Sequence, residues 1–361
     1  MNTFTLYSTW NRVLGQWLSH VYRTRRVNLI WLIVGLYLGG SVKASAIVKH
    51  WRIPVKVTSL TRRLSRFLDN SAIRPAVWYR PVARRLLEHW RGQTVTLIID
   101  ATKVGAGHQL VMVALAYRHR ALPIAWSWVK GSQGQGPAAL QQAVLQRVQH
   151  LMPSDVSVML IGDSAFGSVA LMQHLQTWGW TYVVRQTGRH LVRPTATARW
   201  IRFDEVVQRG GPRVWWPQAH FTQKWDYGTN LCASWAPTES TPWLLTSNLA
   251  DAHSVCHAYA KRMWIEEMFG DLKRHGWDLE ITHLRHPDRL SRLTFAVCLL
   301  YVWLVFYGQR VIKAGWRPLV DRAERRDLSV FRIGLDILQR CFALDMRPPV
   351  PLPKEIWASV R

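Results

Sequence analysis

The stretch "VTLIID", residues 95–100, is a short run of β-branched and apolar residues that ends in an aspartate. A second run, "VSVMLIGDSAFG" at 156–167, also brings an aspartate to the end of a buried strand. Between them, residues 108–130 indicate two strands joined by a polar turn, and residues 136–152 indicate a helix after a glycine-rich loop. Another helix and the strand within 181–188 follow. This β-β-β-α-β-α-β order predicts an α/β unit with a mixed sheet.

The two strand-end aspartates, Asp100 and Asp163, are expected to lie side by side. In this order the first and fourth strands can be parallel neighbours, and functional sites of open α/β sheets form at the carboxyl ends of strands. Two adjacent carboxylates repel each other unless a proton or a cation lies between them. Hard divalent ions such as Mg²⁺ prefer these oxygen ligands, and Mn²⁺ suits them too. A single strand-end aspartate is more often a turn residue, but two in matched places favour a site.

The stretch "YAKRMWIEEMFGDLK", residues 259–273, contains two adjacent glutamates among basic residues. We expect it to lie on a long helix that begins near Asp251. At about 100° per residue, four polar residues share an arc of about 60°: Tyr259, Arg262, Glu266 and Lys273. Glu266 is therefore the predicted functional acid, and Glu267 is a solvated neighbour. The alternative is an ordinary ion-paired helix surface, since Arg262 and Glu266 are four residues apart.

The charge of the chain indicates a polyanionic partner. Its 361 residues include 47 Lys and Arg against 22 Asp and Glu, a formal net charge of +25. Residues 1–99 carry 16 of the basic residues but only Asp69 and Glu88 as acids, and so hold 14 of the 25 surplus charges. A region with almost no acids suits a phosphate backbone, so nucleic acid is the first candidate. A ribosomal-type or membrane-surface protein is the alternative, although the 21 Trp count against the ribosomal type.

Residues 41–70 predict two helices around a short turn at Ile53 and Pro54, and Thr58 or Ser59 could cap the second one. In that helix the leucines and Phe67 fall on one face. The opposite face is basic and carries Arg62, Arg63 and Arg66. The arrangement resembles a helix-turn-helix unit with a basic recognition face. An amphipathic helix with a solvated basic face is the equal alternative.

Cysteine usage and hydropathy favour a cytosolic protein without a membrane span. The four cysteines are far apart in sequence and form neither a CxxC nor an HExxH pattern, so we expect reduced core thiols rather than a zinc site or a redox pair. No signal peptide is expected at the start. The apolar run 29–40 is too short to span a bilayer. The run 293–309 falls just short of the roughly 20 residues required, so a buried core helix is predicted there.

The sequence resembles the DDE transposases of bacterial insertion sequences, in the group whose ribonuclease-H-like catalytic domain is interrupted by a β insertion. The signature Tyr-x2-Arg-x3-Glu-x6-Lys of that group is met at every spacing by the stretch 259–273. "LIIDAT" and "LIGDSAFG" supply the two aspartates in similar contexts, and "YVVRQTG" and "WLLTSN" also match. The resemblance covers roughly residues 90–310. The N-terminal region matches only in kind, and residues 311–361 have no close match.

The resemblance implies an α/β fold, a ribonuclease-H-like mixed sheet with a β-rich insertion, preceded by a helical DNA-binding domain and followed by C-terminal helices. The implied domains are a basic helical domain at 1–90, the catalytic domain in two parts at 91–189 and 251–310, the insertion at 190–250, and a helical region with a tail at 311–361.

The resemblance also implies a cut-and-paste transposase that binds double-stranded DNA, both transposon ends and target, as a homodimer. Asp100, Asp163 and Glu266 would hold two Mg²⁺ ions, for which Mn²⁺ could substitute. The DNA contacts implied are Arg185, Trp243, Tyr259, Arg262 and Lys273. In relatives that form a hairpin at the transposon end, a tryptophan at the place of Trp243 stacks on a flipped base; a core tryptophan is the alternative.

Two other functions remain open. One is a ribonuclease-H-like nuclease without strand transfer, which the β insertion and the basic N-terminal region count against. The other is a non-catalytic DNA-binding remnant, for which the loss of an acid would be typical; all three acids are present. The expected location is the bacterial cytoplasm, on the nucleoid when DNA is bound.

Overall fold

The computed structural model describes residues 1–105, 107–131 and 138–354. It begins with helices, as predicted for the N-terminal region. These are α1 (Thr3–Trp17), α2 (Arg23–Gly39), α3 (Ala44–Val48), α4 (Val57–Asp69) and α5 (Pro75–Glu88). The apolar run predicted to be too short for a membrane lies in α2, whose residues 29–37 are all buried.

The predicted helix pair at 41–70 is present with different proportions. Helix α3 has only five residues, and an eight-residue connector rather than a short turn separates it from α4. The prediction of Thr58 or Ser59 as the cap is wrong. The amides of Ser59 and Leu60 already donate to the carbonyl of Lys56, at 2.9 and 3.1 Å, so the first turn closes earlier. The apolar face of α4 is buried as predicted.

The centre of the molecule is a mixed sheet. Its first five strands are β1 (Thr94–Val104), β2 (His108–Tyr117), β3 (Arg120–Lys130), β4 (Ser157–Gly162) and β5 (Thr181–Arg185), with helices α6 (Ala138–Gln149) and α7 (Val169–Thr177) in between. β1, β2 and β3 are antiparallel, whereas β1, β4 and β5 are parallel. The predicted strand and helix order is confirmed. Residues 132–137 lie outside the described residues. They include most of the predicted glycine-rich loop and the first two residues of the predicted helix 136–152.

The β-rich segment continues the same sheet instead of forming a separate one. Its strands are β6 (Leu191–Arg193), β7 (Ile201–Arg202), β8 (Val214–Phe221), β9 (Tyr227–Ser234) and β10 (Trp243–Ser247). The order of the ten strands is β3-β2-β1-β4-β5-β10-β9-β8-β6-β7. β10 pairs antiparallel with β5, and Leu245 lies opposite Arg185.

The predicted long helix from Asp251 is broken in two. Asp251 caps α8 (Ala252–Ala260) by accepting the amide of Ser254 at 2.8 Å, but α9 (Met263–Leu272) is a separate helix. At the junction the amides of Lys261 and Arg262 bond to carbonyls three residues back. Such tight bonds turn the chain away from a straight α-helix, so the helical wheel does not extend from Tyr259 into α9.

Helix α10 (Pro287–Lys313) is the core of the C-terminal half and packs against α11 (Val330–Ala343). It is long and apolar enough to cross a membrane by length and composition, yet 94% of its most apolar window is buried inside the protein. The core helix predicted at 293–309 is therefore present. Residues 355–361 of the predicted C-terminal tail lie outside the described residues.

The fold class is as predicted: an α/β protein with a ribonuclease-H-like mixed sheet, strands added after β5, and helices at both ends. The four cysteines are free and buried. They are not all far apart in space, because the Sγ atoms of Cys232 and Cys256 are separated by 3.7 Å.

Candidate active site

The two predicted aspartates meet where β1 and β4 end. The parallel register places Ile99 opposite Gly162, so Asp100 and Asp163 follow on neighbouring strands. Asp100 is 7% exposed, and its Oδ1 accepts the amide of Ala101 at 2.7 Å. Asp163 is more open and begins a short turn, where its Oδ1 accepts the amide of Ala165 at 2.7 Å. The β pattern of the sequence is thus sufficient to bring these carboxyls together.

Helix α9 supplies the third acid. It packs on the sheet through four buried apolar residues, Ile265, Met268, Phe269 and Leu272. Glu266 lies beside that apolar flank and lines a cleft of about 370 Å³. The same cleft is lined by four more of the predicted site residues: Asp100, Asp163, Arg262 and Lys273. Three acids and two cations from separate parts of the chain therefore share one concave site.

The guanidinium of Arg262 lies among the three carboxylates. Its Nη2 donates to Glu266 Oε1 at 2.5 Å and is 3.6 Å from Asp163 Oδ2. Burial opposes its charge, but the carboxylates, Asp100 foremost, outweigh this effect and hold the pKa of Arg262 above its usual value. The alternative from the sequence was that Arg262 and Glu266 form an ordinary surface pair. In the structure Arg262 also approaches Asp163 at the end of β4.

The pKa of Asp100 is strongly shifted by its surroundings. Burial raises its pKa to about 7, Arg262 and the amide of Ala101 lower it, and the charges of Asp163 and Glu266 raise it again. A buried carboxyl beside two others holds its proton until a cation compensates the charge.

The donor set of the cleft can be compared with the needs of a metal ion. Three carboxylates from β1, the end of β4 and α9 are the oxygen ligands that Mg²⁺ and Mn²⁺ prefer. In the ranges 1–105, 107–131 and 138–354, no three His, Cys, Asp or Glu side chains are grouped closely enough to enclose an ion. Arg262 lies between two of the three acids, since it bonds to Glu266 and approaches Asp163. The residues fit a divalent ion in chemical type, provided that Arg262 releases Glu266.

Tyr259, Trp243 and Arg185 form a group next to the cleft. The ring of Tyr259 is 3% exposed and meets that of Trp243 edge-on, with centroids 5.0 Å apart. The prediction that Tyr259 lies on a polar helix edge is wrong, because the break before Arg262 places it in the core under Trp243. Burial raises the pKa of Tyr259 to about 12, against the charges of Arg262 and Arg185. Arg185 donates at 2.8 Å to the Pro242 carbonyl and so anchors the approach to Trp243.

Lys273 ends α9 at the rim of the cleft, where its Nζ is 2.9 Å from Glu280 Oε1. The α4 arginines do not line this cleft. Arg62 and Arg66 are exposed, as a recognition face requires. Arg63 is half-buried and donates to Asn28 Oδ1 at 2.7 Å, so it holds α4 to α2.

Glu267 is not simply a solvated neighbour, as the sequence predicted. Its Oε2 is 3.2 Å from Arg120 Nη1, although its side chain is 52% exposed. Arg120 also donates through Nε to the buried Asp271 at 2.9 Å. This pairing ties α9 to the start of β3 and is a structural feature that the sequence reading missed. The only signal for it was the i,i+4 spacing of Glu267 and Asp271 on one face.

Comparison with known proteins places most of the chain in one family. The model of the family described as the transposase DDE domain matches residues 91–303, while no curated protein matches the sequence. Among solved structures, the fold is similar to the piggyBac transposase in its synaptic complex with hairpin DNA, at 12% identity and a TM-score of 0.43. That similarity covers 96% of this chain and 80% of the other.

Proposed function

Since the chain belongs to the transposase DDE domain family, we propose that it is a cut-and-paste DNA transposase of an insertion sequence, which cleaves transposon ends and joins them to target DNA. The observation that carries this proposal is the convergence of Asp100, Asp163 and Glu266 with Arg262 and Lys273 on one cleft. Three oxygen ligands beside two phosphate-binding cations suit in-line displacement at phosphorus, in which charge builds on the phosphate oxygens.

The family generally uses divalent metal ions, and we assign their ligands to Asp100, Asp163 and Glu266. Two Mg²⁺ ions, or Mn²⁺ in their place, would activate the attacking oxygen and stabilise the leaving oxygen. Asp100 and Asp163 are held by backbone amides, so their carboxyls are oriented before DNA binds. In this structure the positive charge of Arg262 compensates part of the negative charge of Glu266 and Asp163. When a phosphate enters, the guanidinium exchanges the Glu266 carboxylate for a phosphate oxygen and leaves Glu266 free as a ligand.

The remaining residues of the site are assigned to DNA. Lys273 at the rim and Arg185 beside Tyr259 bind phosphates around the scissile position, and Tyr259 supports the ring of Trp243. Trp243 is half-buried and stacks on a base that leaves the duplex, which is worth about 1–3 kcal/mol per base. Arg62 and Arg66 on α4 bind the backbone of the terminal repeats, and Arg63 positions that helix.

The proposal extends to the assembly. Cutting and joining require that the two ends be brought together, so a homodimer on double-stranded DNA is proposed, in the bacterial cytoplasm and on the nucleoid. The units proposed for these tasks keep the boundaries 1–90 for end binding, 91–189 with 251–310 for catalysis, 190–250 for the β insertion and 311–361 for the C-terminal region.

The experiment uses DNA that carries the inverted repeats flanking the gene, with Mg²⁺ or with EDTA, and a supercoiled plasmid as target. We expect cuts at the repeat tips and joined products with Mg²⁺ and neither with EDTA. Cutting without joining would replace the proposal with a ribonuclease-H-like nuclease. Specific binding without cutting in Mg²⁺ or Mn²⁺ would replace it with a DNA-binding remnant.

A further inference from the structure

A second concave site, which we call the edge cavity, lies away from the candidate active site. It has a volume of about 440 Å³ and lies between α5, the edge strand β3 and the end of α6. That volume is within the roughly 300–1,000 Å³ that ligand pockets occupy. Its walls carry four basic side chains, Arg80, Arg84, Arg147 and His150, and none of the described lining residues is an acid.

The sequence of α5 creates this cavity. Arg80 and Arg84 are one helical turn apart and therefore lie on the same face. Ala76 and Ala83 on that face are small and leave the space in front of the arginines open. Both arginines are exposed. Among the described residues, no carboxylate forms an ion pair with either one, whereas the neighbouring Arg85 pairs with Glu88 at 3.5 Å.

The floor of the cavity is rigid and apolar. Tyr79 donates its hydroxyl to the Pro123 carbonyl at 2.8 Å, and Trp126 donates its indole N–H to Ser291 Oγ at 3.1 Å. The rings of Tyr79 and Trp126 meet edge-on at 5.0 Å. Arg147 donates to the Trp126 carbonyl at 3.0 Å. These bonds occupy acceptors of the edge strand, so pairing with another strand is disfavoured there, and a small ligand is the better occupant.

Uncompensated cations around an apolar floor define the chemistry of that ligand. Like charges that share a site repel each other unless an anion joins them, and arginine forks match phosphate oxygens in a bidentate way. A flat apolar body suits the aromatic edges below. A nucleotide combines both parts, with its phosphate at the arginines and its base on the floor. In an intact duplex the bases are paired and stacked, so the nucleotide must be unpaired.

The position of the cavity connects it with the candidate active site. In the sheet, Trp126 lies opposite Met112, which lies opposite Asp100, so the backbones of Trp126 and Asp100 are two strand spacings apart, about 10 Å. The connector between α9 and α10 includes Glu280, which holds Lys273 of the cleft, and leads into α10, which carries Ser291 of the cavity. Its exposed side chains include His283, Arg285 and His286. The acids Glu280 and Asp288 lie on the same stretch, so it links the two sites by position and not by charge.

We propose that the edge cavity binds an unpaired nucleotide of a DNA strand, with the strand's phosphate on Arg80 and Arg84. The proposal rests on the proposed function for the source of the strand, because cutting DNA produces ends whose nucleotides can leave the duplex. A free nucleotide has the same chemistry, so the experiment includes both sources.

The test measures the binding of a fluorescein-labelled single-stranded oligothymidylate to the full-length chain at several salt concentrations, in EDTA so that no cleavage is involved. The variants are Arg80→Ala, Arg84→Ala and the double variant, and Arg85→Ala on the same helix is the control that matches each single variant in lost charge. We expect the double variant to bind at least about tenfold more weakly, with a salt slope lower by about 1.4. Arg85→Ala should stay close to wild type. Thermal unfolding checks that each protein is folded.

A second readout localises the strand. An oligonucleotide with a photoreactive thiothymidine is crosslinked to the wild-type chain, and the labelled peptide is identified by mass spectrometry. Crosslinks to peptides containing Tyr79, Trp126 or Leu151 support the proposal. Crosslinks confined to the cleft, or equal losses in the double variant and in Arg85→Ala, overturn it. If free thymidine monophosphate or ATP binds the chain and the oligonucleotide does not, the cavity is assigned to a free nucleotide instead. None of these readouts requires catalysis. A failure of the chain to cleave transposon ends can therefore be told apart from a failure of the edge cavity to bind the strand.

Discussion

The pairing of Arg120 with Asp271 is predicted to be a main support of the helix that carries Glu266. The perturbation is Arg120→Met, which keeps a long apolar stem and removes the charge. Both partners are largely buried, with side chains 15% and 3% exposed, and Arg120 Nε lies 2.9 Å from Asp271 Oδ2. The variant therefore leaves a buried carboxylate whose next partner, the Tyr301 hydroxyl, is 3.5 Å away.

The expected loss of stability can be worked out from these values. Two unit charges about 4 Å apart attract each other by about 4 kcal/mol at an effective dielectric constant of about 20. Removal of one partner from a buried pair costs about 3–5 kcal/mol, because the other charge loses its compensation. The exposed contact of Arg120 with Glu267 adds less than about 1 kcal/mol. We therefore expect Arg120→Met to lower the free energy of unfolding by about 3–5 kcal/mol.

The assay is urea unfolding, at a pH above the pKa of Asp271, which is about 7, of a double-mutant cycle made of wild type, Arg120→Met, Asp271→Asn and the double variant. The double variant should lose clearly less than the sum of the single variants, since Asp271→Asn removes the carboxylate that Arg120→Met alone leaves unpaired. Arg91→Met is the matched control, because its pair with Asp155 is exposed on both sides and should contribute below about 1 kcal/mol. Additive losses in the cycle, or a loss as small as that of the control, would refute the reasoning.

Three further outcomes are expected. Gly308→Ala should destabilise the protein by about 3 kcal/mol, because its Cβ would clash with the Val330 carbonyl oxygen, whereas Gly15→Ala, with open space around it, should be neutral or stabilising in the same urea unfolding. Burial raises the pKa of Asp271 to about 7, as it does that of Asp100, so the native state holds both protons more tightly than the unfolded state does. The free energy of unfolding should therefore fall from about pH 4 to 7, by at most about 1.4 kcal/mol per pH unit for each of the two acids, and Asp271→Asn should lack the share that Asp271 contributes. Trp243→Ala should weaken the complex with cleaved ends by about 1–3 kcal/mol in a gel-shift titration, and Trp243→Phe should retain part of the affinity; equal affinity of all three proteins would assign Trp243 to the core.

The sequence was sufficient for those parts of the site that depend on local patterns. Asp100 and Asp163 each end a β-rich run, and parallel pairing of the two strands follows from their order. Glu266 was identified on a wheel that assumed one long helix. The predicted grouping of Glu266 with Arg262 and Lys273 is present despite the helix break, because those two residues flank the short helix that carries Glu266. The catalytic role of Glu266 stays a prediction. Tyr259 belongs to the preceding helix, and its placement on the wheel was wrong.

The parts that could not be predicted depend on contacts between distant segments. The clamp of Arg120 on Asp271 joins residues 151 positions apart, and no local period encodes it. The approach of Arg262 to Asp163 has the same origin. The segment after β5 could be predicted to be β-rich. Its attachment to the main sheet depends on the pairing of β10 with β5, and no separate feature of the amino-acid pattern predicts that pairing.

The most direct test of the central claim compares the two adjacent glutamates. Glu266→Gln and Glu267→Gln remove the same charge from neighbouring positions, so each is the control for the other in Mg²⁺-dependent cleavage and joining of the terminal-repeat DNA. We expect Glu266→Gln to bind the DNA but neither to cut nor to join it, while Glu267→Gln keeps most of the activity. Equal activity of Glu266→Gln and wild type, or loss of activity in Glu267→Gln alone, would contradict the assignment of Glu266 as the third acid of the site.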